Sequence, residues 1–175
     1  MTLNDFQGPT LDDIWRAAAR IAPYVQHTPV LHSGSLDMAS GARLHFKCEN
    51  FQRIGAFKFR GACNAVFTLS DTQAARGVAT HSSGNHAAAL ALAASLRGIA
   101  AHVVMPENTV RVKVDSVRRL GARIIFCAPT QQARAQAQAS SLGSSRRSMA
   151  TRRSLSSSLR FLSRRTISSS ATGTS

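Results

Sequence analysis

After Asp115 this sequence contains no aspartate or glutamate, although eleven of its arginines lie beyond that point. Much of the formal net charge of +14 therefore sits in one part of the chain. Such an excess suits an acidic partner, nucleic acid or an anionic membrane surface, or it marks a segment of different origin from the rest. Cysteine is scarce. Cys48, Cys63 and Cys127 form no C-x-x-C pair and are odd in number, which argues against a disulfide framework and for small buried side chains in a reducing compartment. No run approaches about 18 apolar residues, so no membrane-spanning helix is expected. The first residues have no apolar run and carry Asp5, Asp12 and Asp13, unlike a secretory signal. The expected location is cytoplasmic. No G-x-G-x-x-G follows any expected strand, which argues against a nucleotide-binding Rossmann half.

What remains is a chain of 175 residues with 43% apolar content, enough for one domain or one domain with a tail. "TLDDIWRAAARIAPYV" offers Thr10 as an N-cap with Asp13 three residues on, and Leu11, Ile14, Ala18 and Ile21 at helical spacing. "HTPVLHS" holds Pro29 and reads as extended. "ARLHFKCEN" alternates, Leu44, Phe46 and Cys48 against His45, Lys47 and Glu49, and predicts a strand. A turn at Gly55 should lead into a helix from about Lys58 to Leu69. Then "GVATHS", "AAHVVM" and "ARIIFCA" predict strands, separated by helices that stop at Gly98 and Gly121. "TQQARAQAQA" begins one more helix. Strand and helix in alternation predict an α/β fold, a parallel sheet with flanking helices that binds ligands beyond the carboxyl ends of its strands.

Two stretches carry chemistry. In "NFQRIGAFKFRGACNA" one lysine, Lys58, stands between Phe57 and Phe59. An amine wedged among apolar side chains has its charged form disfavoured and becomes a nucleophile near neutral pH, the property a Schiff-base lysine needs. The alternative is a lysine that covers its neighbours with its stem while its charge reaches water. In "ATHSSGNHAAALALAA" a strand runs into Ser82, Ser83, Gly84, Asn85 and His86, and a helix follows. Free N–H groups at such a turn hold a carboxylate or phosphate; a capped helix with no ligand is the alternative. The helix is almost all Ala and Leu and should be buried, which would put its N-terminus inside the protein, where unpaired donors are costly. His81 and His86 are five apart across a turn, without metal-ligand spacing, and no metal is expected.

Taken together, "KCENFQRIGAFKFRGA", "SSGNH" and "MPENTVRVKVDSVRRLGA" resemble the fold-type II pyridoxal-phosphate enzymes, in particular the threonine/serine dehydratase and serine racemase family, over roughly residues 10–133. F-K-F-R-G-A and the histidine after Asn85 favour this branch over the cysteine synthases; Ala56 departs from the usual serine. The resemblance implies that Lys58, beside Phe57, bonds pyridoxal 5'-phosphate as a Schiff base. It implies that Asn85 meets the 3-hydroxyl of the ring, and that Ser82, Ser83, Gly84, Asn85 and His86 bind the carboxylate of the substrate, L-threonine or L-serine. Ser83 takes the position that racemases use as a second acid/base. The implied reaction gives a 2-oxo acid and ammonia, with racemisation as the alternative, and full-length relatives are expected to be homo-oligomers.

The resemblance also shows what is missing. The family's phosphate cradle is a run of glycines, and no two of the eleven glycines here are adjacent. Residues 1–75 would form the first segment of the cofactor-binding large domain and 76–133 the small α/β domain. Residues 134–175, rich in Ser, Arg and Ala, form a low-complexity basic tail that is expected to be disordered. An out-of-frame product accounts for its composition, and the enzyme would then be truncated and inactive. The other reading is a non-catalytic basic binding segment for nucleic acid or anionic lipid, with Leu155, Leu159 and Leu162 on one weak amphipathic helix.

Overall fold

The structure, a computed structural model, describes residues 8–133 and 135–140. Residues 135–140, placed by sequence in the disordered tail, are helical, as are 131–133, so the helix expected from "TQQARAQAQA" is present and the tail reading is corrected there; the readings from 141 onward lie outside the described residues. Three strands, β3 (Val78–His81), β4 (Ala101–Pro106) and β5 (Arg123–Cys127), form a parallel sheet in chain order. Val78 pairs with Ala101, and His102 with Arg123. Every residue of β4 is buried, as the central strand of a doubly covered parallel sheet requires. Its alternate residues Ala101, Val103 and Met105 face one core.

Helix α5 (Asn85–Arg97) fills the space between this sheet and helix α3 (Lys58–Thr68). Its Ala87, Ala91 and Ala94 join the sheet core, together with Val114 and Val117 of α6 (Arg111–Arg119). Its Ala89, Leu90 and Ala93 join a second core with Phe59, Ala62, Cys63 and Val66 of α3. A helix buried on two sides has no use for a polar face, and small side chains let both layers approach. The body of α5 is therefore buried, as its composition predicted. Arg97 at its end donates to the last carbonyls of α3, those of Val66 and, at 2.6 Å, Leu69.

The N-terminal part is thinner. Helix α1 (Leu11–Ile21) has the expected capping box: Thr10 and Asp13 exchange bonds of 2.9 and 3.2 Å. The Thr10 hydroxyl, which donates to the Asp13 carboxylate at 2.7 Å, the Thr10 amide and Arg16 hold that carboxyl down to about 2. Only Ile21 of α1 is buried, and Leu11, Ile14 and Trp15 face solvent. The strand expected over "ARLHFKCEN" shrinks to β2 (Phe46–Lys47), paired antiparallel with β1 (Val30–Leu31). No further layer covers either face of this pair among the described residues, so the alternation of Leu44, Phe46 and Cys48 has nothing to pack on. Two short helices, α2 (Gly34–Ser40) and α4 (Asp71–Ala74), follow Ser33 and Ser70, and α4 has a capping box of its own. Neither was expected from periodicity, because one or two turns show none. Among the described residues no helix is long and apolar enough to cross a membrane.

Between α4 and β3 the chain turns at Gly77, with φ +73, and a Cβ there would lie 2.7 Å from the carbonyl oxygen of Ala100. Gly98 has a similar φ of +71 but open space around it. Gly77→Ala should therefore cost more than the strain alone, about 2–3 kcal/mol or more against about 1 for Gly98→Ala. Chemical denaturation of the two variants checks this; equal losses would contradict the packing at Ala100.

Candidate functional site

The segment that delivers Lys58 is held from both ends. Two 3-10 turns, Glu49–Phe51 and Arg53–Gly55, lead into α3. Ile54 (φ 61) and Gly55 (φ 69) reverse the chain, and Ile54 is the one non-glycine residue with positive φ among the described residues. Gln52 is buried. Its side-chain oxygen accepts from the amides of Gln26 (2.9 Å) and Arg53 (3.0 Å), and its nitrogen donates to the Gln26 carbonyl (2.9 Å). Past the turn, Arg60 grips Glu49 with two bonds, Nε to Oε2 at 2.9 Å and Nη2 to Oε1 at 2.8 Å. Thr28 donates to the same carboxylate at 2.6 Å. The Arg60 bonds outweigh burial and hold the Glu49 carboxyl down to about 2, while the carboxylate raises Arg60.

The wedge expected around Lys58 is only half present. Phe59 is fully buried, but Phe57 is 59% exposed and Lys58 is exposed, its Nζ 4.8 Å from the Phe57 ring centroid. The reason is helical phase. The buried stripe of α3 runs through positions 59, 62, 63 and 66, and residues 57 and 58 fall outside it. Lys58 is one of only three lysines, all exposed. Lys47 donates to the Thr28 carbonyl at 2.7 Å, and Lys113 lines a cleft described below.

The turn after β3 lies beyond the carboxyl end of that strand, as expected. The Ser82 amide donates to Val104 (3.1 Å) and the Gly84 amide to the Ser82 hydroxyl (3.3 Å). Ser82 and Ser83 are half-buried; Gly84, Asn85 and His86 are exposed. The N-terminus of α5 is thus at the surface, not inside, because burial begins only at Ala87. The amides of Asn85 and His86 have no acceptor among the described residues, and no side chain caps the helix. Ser83, Gly84 and Asn85 line a cleft of about 460 Å³ with Arg53, Lys113 and Arg119. His86 lines a second, mostly apolar cleft of about 660 Å³ beside Ala62 and Leu90. Ser82, Phe57 and Lys58 line neither, but residues on both sides of Lys58, Arg53 and Ala62, share a cleft with the turn.

The sequence profile described as "Pyridoxal-phosphate dependent enzyme" matches residues 21–168. The chain is 59% identical over 116 residues to a serine racemase of Oryza sativa subsp. indica, covering 66% of this chain and 34% of that protein. It is 55% identical over 126 residues to the beta-hydroxyaspartate dehydratase of Paracoccus denitrificans, covering 72% and 40%. The structure of maize serine racemase superposes with a TM-score of 0.76 at 49% identity, over 79% of this chain and 42% of that one. This chain belongs to the pyridoxal-phosphate-dependent enzyme family, and its fold is that of the fold-type II members. It spans about a third to two fifths of the length of the curated relatives it matches.

The residues present fit the family's cofactor where they bear on it. Lys58 presents an accessible amine, and among the described residues two amides at the head of α5 have no acceptor and nothing lies within 4 Å of the place a Cβ would take at Gly84. A glycine-rich phosphate loop has no counterpart, since no two glycines adjoin. Sequence reasoning passed over Gln52, Glu49 and Arg60, although "KCENFQ" and "FKFRGA" were read as motifs. Nothing local marks them: Gln52 is a buried glutamine, and Glu49 and Arg60 lie in different elements, a 3-10 turn and α3, that meet only in the fold.

Because the carboxyl of Glu49 is held near 2 in the folded chain against about 4.5 when free, its stabilising effect is complete above about 4.5 and is lost as pH falls toward 2. Glu49→Gln should cost about 1–3 kcal/mol at neutral pH and almost nothing at pH 2. Denaturation curves across this range check it; a loss independent of pH would contradict the pairing with Arg60.

Proposed function

We propose that the chain carries the tethering and substrate-binding residues of a pyridoxal-phosphate-dependent ammonia-lyase acting on a β-hydroxy amino acid, L-threonine or L-serine, with serine racemisation as the second reading. One observation carries this. Lys58 heads α3, Ser83, Gly84 and Asn85 head α5, and the two helices pack on one another. In this reading residues 1–75 belong to the large domain and 76–133 form the small domain. Without a phosphate loop these residues need a further polypeptide segment for turnover. We place the reaction in the cytoplasm, where free Cys48, Cys63 and Cys127 stay reduced.

When bound, pyridoxal phosphate supplies an electron sink for the charge left at Cα. The roles of the chain's own residues follow. Lys58 would hold the cofactor through its amine and, as a free amine, would take the Cα proton as a general base. The free amides of Asn85 and His86 hold the substrate carboxylate at the helix terminus, with the hydroxyls of Ser82 and Ser83 beside them. The side chain of Asn85 would hold the ring hydroxyl of the cofactor. Departure of the β-hydroxyl then leads, after hydrolysis, to a 2-oxo acid and ammonia. Ser83 can return a proton to Cα from the other face, which is racemisation. The rice and maize relatives are named racemases and the Paracoccus relative a dehydratase, so both outcomes have precedent in close relatives.

A chimera separates them. Residues 8–133 of this chain are joined to the C-terminal remainder of maize serine racemase, and 2-oxo acid and D-serine are assayed together. Lys58→Ala should abolish both activities by more than about a thousandfold. Ser83→Ala should lower racemisation about 10²–10⁴-fold and leave most of the elimination. Activity without Lys58 would overturn the assignment; equal loss of both products in Ser83→Ala would remove the separate role of Ser83.

A further inference from the structure

Neither Glu49 nor Arg60 lines a cleft with the turn that binds substrate in the reading above, and nothing in that reading uses the pair. We propose that Arg60, through its two-pronged bond to Glu49, is a positioning residue that sets the direction of Lys58. This rests on Lys58 being the tether.

Successive residues of an α-helix point about 100° apart. Phe59 is fully buried in the core against α5, and Arg60 is fixed sideways to Glu49 at 2.8 and 2.9 Å. With two successive directions of the first turn fixed, the third, that of Lys58, follows. Arg60 also donates to the Gln26 carbonyl (3.2 Å) and the Thr28 hydroxyl (3.3 Å). Gln52 binds both backbone groups of Gln26 from the other end of the same segment. Residues 52–60 are thus pinned at both ends to residues 26–28. Between the pins lies Ile54 at φ 61, a conformation costly for a β-branched residue, which would relax if either pin let go. Lysine at position 60 would keep the charge but lose the planar fork that reaches both carboxylate oxygens.

The test uses pyridoxal phosphate as the probe on the whole chain. Visible circular dichroism is measured per chromophore attached at Lys58, with attachment quantified after borohydride reduction. A chromophore held in one orientation has an induced signal; a loosely swinging one does not. Arg60→Ala, Arg60→Lys and Glu49→Gln should each lower the signal per chromophore at least twofold, and the Arg60→Ala/Glu49→Gln double variant should lose no more than either single one. If Arg60→Ala does not fold, Arg60→Lys decides. A lower denaturation midpoint with an unchanged signal per chromophore in the folded variants would reduce the pair to a purely structural role and overturn the proposal. If the unaltered chain attaches no chromophore at Lys58, the functional reading fails and takes the proposal with it. If it attaches one and the variants keep its signal, only the positioning role fails.

Discussion

The contact between α3 and α5 is the constraint on which the candidate site depends. Lys58 is the first residue of α3 and Asn85 the first of α5, and they are 27 positions apart in sequence. Only the packing of Phe59, Ala62, Cys63 and Val66 against Ala89, Leu90 and Ala93 brings their surroundings together. The alanines matter because α5 must touch the sheet on its other side through Ala87, Ala91 and Ala94. Larger side chains on either face would push one layer away and separate the amine from the turn. The same seam places a buried thiol, Cys63, whose ionisation burial opposes, so it acts as a small hydrophobe and not a nucleophile.

The amine itself is not surrounded as the sequence suggested. Lys58 is exposed beside a mostly exposed Phe57, so its suitability as a tether comes from access and direction. Cationic Arg53, Lys113 and Arg119 around the neighbouring cleft favour anionic groups near the turn, and so do the free amides of α5. An apolar wall over Lys58 would have to come from the further segment that the longer relatives contain.

Much of the fold was legible in the sequence. The alternation of strands and helices from Val78 to Cys127, with stops at Gly98 and Gly121, is present as read, because each element there has a neighbour to pack on. Thr10 and Asp13 marked the start of α1 by chemistry local to four residues. Strand β2 was overestimated because alternation signals a strand only when a second layer receives one face, and here Phe46 is 41% exposed. The residues of the site were legible as motifs, while their supports were not. The bonds of Gln52 to Gln26 and of Arg60 to Glu49 join positions 26 and 11 residues apart, and no periodicity announces such pairs. The exposure of Lys58 follows from its phase on α3, where Phe59 beside it is fully buried, and the exposure of the α5 N-terminus from burial that begins only at Ala87.

The central claim, that Lys58 is the amine to which the cofactor bonds, meets its most direct test in the chain as it stands. With only Lys47, Lys58 and Lys113 available, incubation with pyridoxal phosphate, reduction with borohydride and mass mapping of the peptides gives an unambiguous answer. The account predicts the adduct predominantly on the peptide that contains Lys58. An adduct spread evenly over the three lysines, or concentrated on Lys113, would contradict it.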